Sequence, residues 1–148
     1  MHAQRRKYVS KQHSQRFPEA RVLIVDDHEP WRRWVSLELA SQHHLRAVGE
    51  ASDGLEAVRK ACDLKPDIIL LDVGLPKLNG LEAASRIAQS TPDSKIIFLT
   101  TLRDREVVKH ALSNGAKGYV LKGDAETELL AAIAIVLEGQ RFVSRRLQ

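Results

Sequence analysis

One cysteine, Cys62, is all the sequence has, so an intrachain disulfide is excluded and a reducing compartment suits the chain. Residues 1–20 contain no continuous apolar core of the kind a secretory signal needs, and no segment is apolar over a bilayer's width. A cytosolic protein without membrane association is the expectation. At 148 residues, 43% of them hydrophobic, the chain is too short for two full cores, which predicts one domain. A dominant charge sign is also missing once the ends are set aside. Arg5, Arg6, Lys7, Lys11 and Arg16 stand against Glu19 alone within residues 1–20, and this excess equals the whole net charge of +4. With Arg141, Arg145 and Arg146 also removed, residues 21–140 hold fifteen basic and eighteen acidic side chains, a net −3. Such a body offers no basic face, so direct nucleic-acid binding by it is not expected. Residues 1–20, rich in Gln, His, Ser and basic side chains without any period, read as a disordered arm.

What is present centres on Asp67-Ile68-Ile69-Leu70-Leu71-Asp72. Four apolar residues without polar alternation predict a strand buried on both faces, as in a parallel sheet covered by helices. Gly74, Pro76 and Asn79-Gly80 mark the loop that follows, and a helix is predicted over 81–89. Residues 22–25 form a similar run ending at Asp26-Asp27. Pro30 then opens a helix whose Trp31, Trp34, Val35 and Leu39 share one face, the spacing of a core stripe. Residues 45–51 read as a more polar edge strand. Residues 54–64 read as a helix with Leu55, Val58, Ala61 and Cys62 inward, Cys62 serving as a small buried hydrophobe. A strand over 95–100 ends on Thr100. A helix over 104–113 is closed by Asn114-Gly115. A strand over 118–122 ends on Lys122, and Asp124 is placed to cap a last helix stopped by Gly139.

Strand and helix thus alternate five times, which predicts a three-layer α/β sandwich: a five-stranded parallel sheet with helices on both faces. Four strands end on functional groups, and parallel strands put those ends on one edge. Asp26, Asp27, Asp72, Thr100 and Lys122 would converge there, an arrangement that is costly unless a cation and an anion balance it. Carboxylates without Cys or His favour a hard divalent ion, Mg²⁺ or in its place Mn²⁺. A carboxylate beside such an ion can attack a phosphoryl donor to give an acyl phosphate, with Lys122 and Thr100 meeting the phosphoryl oxygens. Any one Asp alone reads more simply as a helix cap.

The residues Val25-Asp26-Asp27, Leu71-Asp72, Leu75-Pro76, Asn79-Gly80, Leu99-Thr100 and Gly118-Tyr119-Val120-Leu121-Lys122 resemble the receiver domain of bacterial two-component response regulators, a flavodoxin-like (βα)5 fold. Asp27 precedes Asp72 by 45 residues, Asp72 precedes Thr100 by 28, and Thr100 precedes Lys122 by 22, spacings similar to that family's. The resemblance covers about residues 21–139, leaving 1–20 as the arm and 140–148 as a tail or the start of a linker. It implies that Asp72 is the phosphoacceptor, that Asp27, Asp72 and the Gly74 carbonyl hold the metal directly, and that Asp26 does so through water. It further implies Thr100 as the switch hydroxyl, Lys122 as the phosphate-binding lysine and Tyr119 as the aromatic switch. Thr101 stands where the family usually has Ala or Gly and is placed to crowd the approach to Asp72. The implied partner is a sensor histidine kinase or phosphotransfer protein, with phosphorylation-dependent homodimerisation through the fourth helix, fifth strand and fifth helix. Arg103, Arg105, Lys109 and His110 belong near that face. The chain would catalyse its own phosphorylation and dephosphorylation without being a turnover enzyme.

Asp26-Asp27-His28, Val48-Gly49-Glu50-Ala51 and the ending Glu138-Gly139-Gln140-Arg141-Phe142-Val143-Ser144 are similar to NarL/FixJ-type regulators. Those continue into a helix-turn-helix domain, for which the residues after Gly139 are too few. A stand-alone receiver and the receiver portion of a longer DNA-binding regulator both fit. Two other classes compete. A haloacid dehalogenase-type phosphotransferase would need a second Asp two positions after the nucleophile, where Gly74 stands. A phosphorylation-independent receiver-like scaffold would not require the full set of pocket residues.

Overall fold

Apolar runs in which every residue needs cover can be satisfied only between two layers. In the computed structural model, which describes residues 19–148, they form the middle of a parallel sheet. The strands are β1 Ala20–Val25, β2 Leu45–Ala51, β3 Ile68–Leu71, β4 Lys95–Thr100, β5 Gly118–Leu121 and β6 Phe142–Val143. Their order is β2-β1-β3-β4-β5-β6, every pair parallel. Five helices connect them: α1 Glu29–Ala40, α2 Gly54–Leu64, α3 Gly80–Ser90, α4 Arg105–Ser113 and α5 Ala125–Leu137. The expected basic arm falls in residues 1–18, outside the described residues, apart from the exposed Glu19 and Ala20 at the start of β1. Among the described residues no helix is long and apolar enough to cross a membrane.

Consecutive strand residues point to opposite faces. Leu23, Val25, Ile69, Leu71, Phe98 and Tyr119 therefore pack beneath α2, α3 and α4, while Val22, Ile24, Ile68, Leu70, Ile97 and Val120 pack beneath α1 and α5. The order reverses between β1 and β3. A crevice opens at such a switch point, outside the carboxyl ends of the strands, and Asp26, Asp27 and Asp72 lie there.

The sheet has six strands, not the five expected. β6 is two residues long and leaves no apolar run to read. It exists because its backbone pairs with the free edge of β5: Phe142 N–H donates to Lys117 O at 3.0 Å and Ser144 N–H to Tyr119 O at 2.9 Å. Ser144 is fully buried, its Oγ accepting from Leu121 N–H at 2.9 Å and donating to Glu128 Oε1 at 2.7 Å. Gly139, at φ +90°, makes the turn that brings the chain back.

Three side-chain placements also differ from expectation. Leu55 is 48% exposed and Cys62 is exposed, with Ala57 buried in their place beside Ala61, which faces inward as expected. Two stripes were available on α2, and its small residues won because the helix sits close: a Cβ on Gly54 would lie 1.9 Å from Leu78 O. Trp31 and Trp34 are half-buried at the rim of the core rather than within it. Asp124 precedes α5 but makes no capping bond, since a 3₁₀ turn at Lys122–Asp124 aims its carboxylate at Arg146 Nε, 3.2 Å away.

Candidate functional site

Asp26, Asp72 and Lys122 each directly follow the last residue of a strand and Thr100 is itself the last residue of β4, so the sheet sets their spacing. Asp26 N–H continues the ladder to Ala51 O at 3.0 Å and Asp72 N–H continues it to Val25 O at 3.1 Å. The β1 and β3 carboxylates are thereby held side by side. One oxygen each of Asp26, Asp27 and Asp72 lies within 4.8 Å of the others. Asp26 is 2% exposed and Asp72 8%, while Asp27 faces solvent.

Lys122, just beyond β5, reaches into this group. Its Nζ lies 2.6 Å from Asp26 Oδ2 and 3.1 Å from Asp72 Oδ2. Asp26 Oδ1 accepts from His28 N–H at 2.9 Å and Asp72 Oδ1 from Gly74 N–H at 3.3 Å. Asp26 Oδ2 is buried and has the Lys122 ammonium as its ion-pair partner. Burial pushes the Asp26 carboxyl above its ordinary range despite the ammonium and the His28 N–H, which pull the other way. Burial pulls Lys122 down, but its contacts with Asp26 and Asp72 outweigh this and leave its pKa raised. Three carboxylates thus cluster at one ammonium, which pairs with two of them, Asp26 and Asp72. An all-oxygen donor set with surplus negative charge suits Mg²⁺ or Mn²⁺.

β4, the neighbour of β3, ends on Thr100. Thr100 is 1% exposed and its Oγ1 accepts from Leu102 N–H at 3.3 Å. Tyr119, fully buried, donates its hydroxyl to Leu102 O at 2.8 Å and packs against Phe98, ring centroids 6.0 Å apart. Leu102 therefore ties Thr100 to Tyr119 through its own backbone, a role with no sequence signal because any residue can supply an N–H and a carbonyl. Thr101 is exposed beside Thr100, and Arg103, Arg105, Lys109 and His110 are exposed beyond it. Burial, then the charges of Asp72 and Asp104, push the Tyr119 phenol up to about 12.

That value makes a prediction for alkaline pH. The folded state favours the neutral phenol, so its contribution is complete below the unfolded pKa of about 10 and disappears as pH rises through about 12. An ultraviolet phenolate titration is expected to show a component near pH 12 that Tyr119→Phe removes. A titration unchanged by that substitution would contradict it.

Sequence reading did not place an aromatic wall next to this pocket. Trp31 and Trp34 stack with centroids 5.0 Å apart, and Lys122 Nζ lies 5.3 Å from the Trp31 centroid. With His28, Pro30, Gly123 and Glu126 they line a cleft of about 400 Å³. The available signal was their position in the first turns after Pro30, where a helix passes the strand ends.

Comparison with known proteins agrees with this geometry. The family model described as response regulator receiver domain matches residues 22–134. Oxygen regulatory protein NreC of Staphylococcus aureus is 41% identical over 128 residues, 86% of this chain and 59% of that protein. The chain thus spans 59% of the length of this curated relative. A LuxR-family two-component response regulator from Aurantimonas is 32% identical with a TM-score of 0.84, covering 88% of this chain and 93% of that one. The receiver domain of the NarL regulator of Mycobacterium tuberculosis is 30% identical with a TM-score of 0.78, covering 83% of this chain and all of that one.

Proposed function

This chain belongs to the response regulator receiver family, of the NarL/LuxR type, and we propose that within it Asp72 accepts a phosphoryl group and so sets the state of the β4–α4 loop. The observation that carries this is the cluster of three carboxylates, Asp26 and Asp72 buried, with a single ammonium held between those two. Left alone that imbalance costs stability; a cation and a phosphoryl group remove it.

Asp27, Asp72 and the Gly74 carbonyl would hold Mg²⁺ directly, with Asp26 acting through water. Once bound, the ion would neutralise the carboxylates and draw charge from the phosphoryl oxygens. An Asp72 carboxylate oxygen attacks phosphorus, and the bond from phosphorus to the donor's leaving atom breaks with its electron pair. From a phosphohistidine that atom is an imidazole nitrogen, which fits a sensor histidine kinase or phosphotransfer protein as donor. Lys122 exchanges a carboxylate oxygen for phosphoryl oxygens, and the Thr100 hydroxyl turns toward them. The Thr100 Oγ1 then gives up Leu102 N–H, and Leu102 is also the residue that Tyr119 holds. One local charge event thereby biases a loop leading into α4. The receiver promotes its own phosphorylation and hydrolysis and turns over no separate substrate. Thr101, at the rim, would slow both by narrowing access. A cytosolic location and phosphorylation-dependent pairing of two copies through α4, β5 and α5 follow from the same reading, the latter checked by light scattering with and without BeF₃⁻.

The test is intact mass after incubation with acetyl phosphate and Mg²⁺. A gain of roughly 80 Da, one HPO₃, is expected. It should vanish in Asp72→Asn and on removing the metal. An adduct that persists in Asp72→Asn would move the acceptor elsewhere, and no adduct at all would favour a phosphorylation-independent scaffold.

A further inference from the structure

Pro30 stands in the first turn of α1, and Trp31 N–H bonds to His28 O at 3.1 Å. This rigid start determines where the next side chain leaves the helix. Trp31 leaves it beside the acidic pocket, stacked on Trp34, with Lys122 Nζ 5.3 Å from its ring centroid. That distance is within the range for attraction between an ammonium and an aromatic face. Lys122 thus has three neighbours: Asp26 Oδ2, Asp72 Oδ2 and the Trp31 ring.

Phosphoryl transfer treats the three differently. The Asp72 carboxylate becomes an acyl phosphate, and Asp26 would be drawn toward a bound metal ion through water. Lys122 must then give up contacts with carboxylate oxygens as its ammonium meets the new phosphoryl oxygens. The indole carries no charge and loses none, so its attraction is the same before and after. Its ring also covers a side of the ammonium that water would otherwise solvate, and a less hydrated charge acts more strongly on its partners.

We propose that Trp31 is a positioning residue for phosphorylation of Asp72, its ring face keeping the Lys122 ammonium at the pocket while its carboxylate partners are exchanged for phosphoryl oxygens. The inference rests on the phosphoryl-transfer reading of the same site and extends it to a residue outside the acidic cluster. Without the ring the ammonium hydrates and swings into the cleft. Adduct formation should then slow by about three- to tenfold, the span expected for a partly desolvated ammonium–indole contact.

The experiment is a double-mutant cycle on the full chain, combining Trp31→Leu with Lys122→Met and timing the adduct by intact mass with acetyl phosphate and Mg²⁺. Trp31→Leu should slow the unaltered background by about three- to tenfold and leave Lys122→Met almost unaffected, because the ring acts through the ammonium. Trp31→Phe retains a π-face and should lie between Trp31→Leu and the original, and the absence of an effect in the Lys122→Met background is what separates the contact from a packing defect. Equal slowing in both backgrounds overturns the proposal. The contact is read separately in Trp34→Phe, where Trp31 is the sole tryptophan: Lys122→Met should shift its emission without any phosphodonor, and an unchanged spectrum also overturns the proposal. Absence of adduct on the unaltered chain defeats the phosphoryl-transfer reading and this inference together. A normal adduct with equal losses in the cycle defeats this inference alone.

Discussion

Gly80→Ala should destabilise the fold by about 3 kcal/mol or more, with the damage centred on Asp72. The N-terminus of α3 rests directly on the backbone that carries the phosphoacceptor candidate. Gly80 N–H donates to Val73 O at 2.7 Å, and a Cβ at position 80 would lie 1.9 Å from Asp72 O and 2.8 Å from Val73 Cα. Those atoms are main chain, held by Asp72 N–H bonding to Val25 O, so they cannot yield as a flexible side chain would. Either α3 backs away from the sheet, opening the core around Ala83 and Ile87, or the end of β3 shifts and the carboxylate with it. Gly74 is the control. A Cβ there meets nothing within 4 Å, so Gly74→Ala is expected to stay within about 1 kcal/mol of the original. Urea unfolding of the two variants decides the matter, and equal midpoints would show that the close approach at Gly80 has no energetic consequence.

Lys122→Met carries the second large effect, and its sign depends on pH. Among the described residues Lys122 is the cation paired with Asp26 and Asp72. Removing one member of a buried pair costs more than the pair contributes, because the other charge stays behind. The site opens partly to water, so a loss of about 2–3 kcal/mol is expected at neutral pH without metal. Burial already holds the Asp26 carboxyl above its ordinary range, and without the ammonium it rises further. A carboxyl raised in the folded state contributes stability while protonated, fully below its unfolded pKa, and that contribution is lost as pH climbs through the folded value. The deficit of Lys122→Met should therefore be small near pH 4, grow toward neutrality and then level. Lys122 itself, with its pKa raised by the two carboxylates, keeps its contribution throughout and loses it only above its unfolded value of 10.5. Adding Asp26→Asn to Lys122→Met should return most of the stability at pH 7, and Mg²⁺ should do the same for Lys122→Met alone. Thermal melts across pH with and without Mg²⁺ measure all three effects; a deficit that ignores both pH and metal would assign the loss to packing of the lysine stem.

The sequence by itself determined the parts whose information is local or set by topology. Runs such as Ile68 to Leu71 can only be central strands, since every residue needs apolar cover. Once strands and helices alternate, parallel pairing puts every strand end on one edge, and this was enough to expect Asp26, Asp27, Asp72 and Lys122 in one group, with Thr100 ending β4 on the same edge. The tertiary structure decided what depends on a partner far along the chain. β6 exists because β5 offers a free edge, and Phe142-Val143 alone carries too little apolar periodicity to announce it. α2 presents Ala57 inward beside Ala61, rather than Leu55 and Cys62, because Gly54 lies against Leu78, a constraint invisible within the helix. Asp124 pairs with Arg146 rather than capping α5, and Leu102 joins Thr100 to Tyr119 through main-chain atoms that no side-chain pattern encodes. Trp31 obeys the same division. Its helical spacing was legible as a core stripe, but only the meeting of the first turn of α1 with the end of β5 sets its ring beside Lys122.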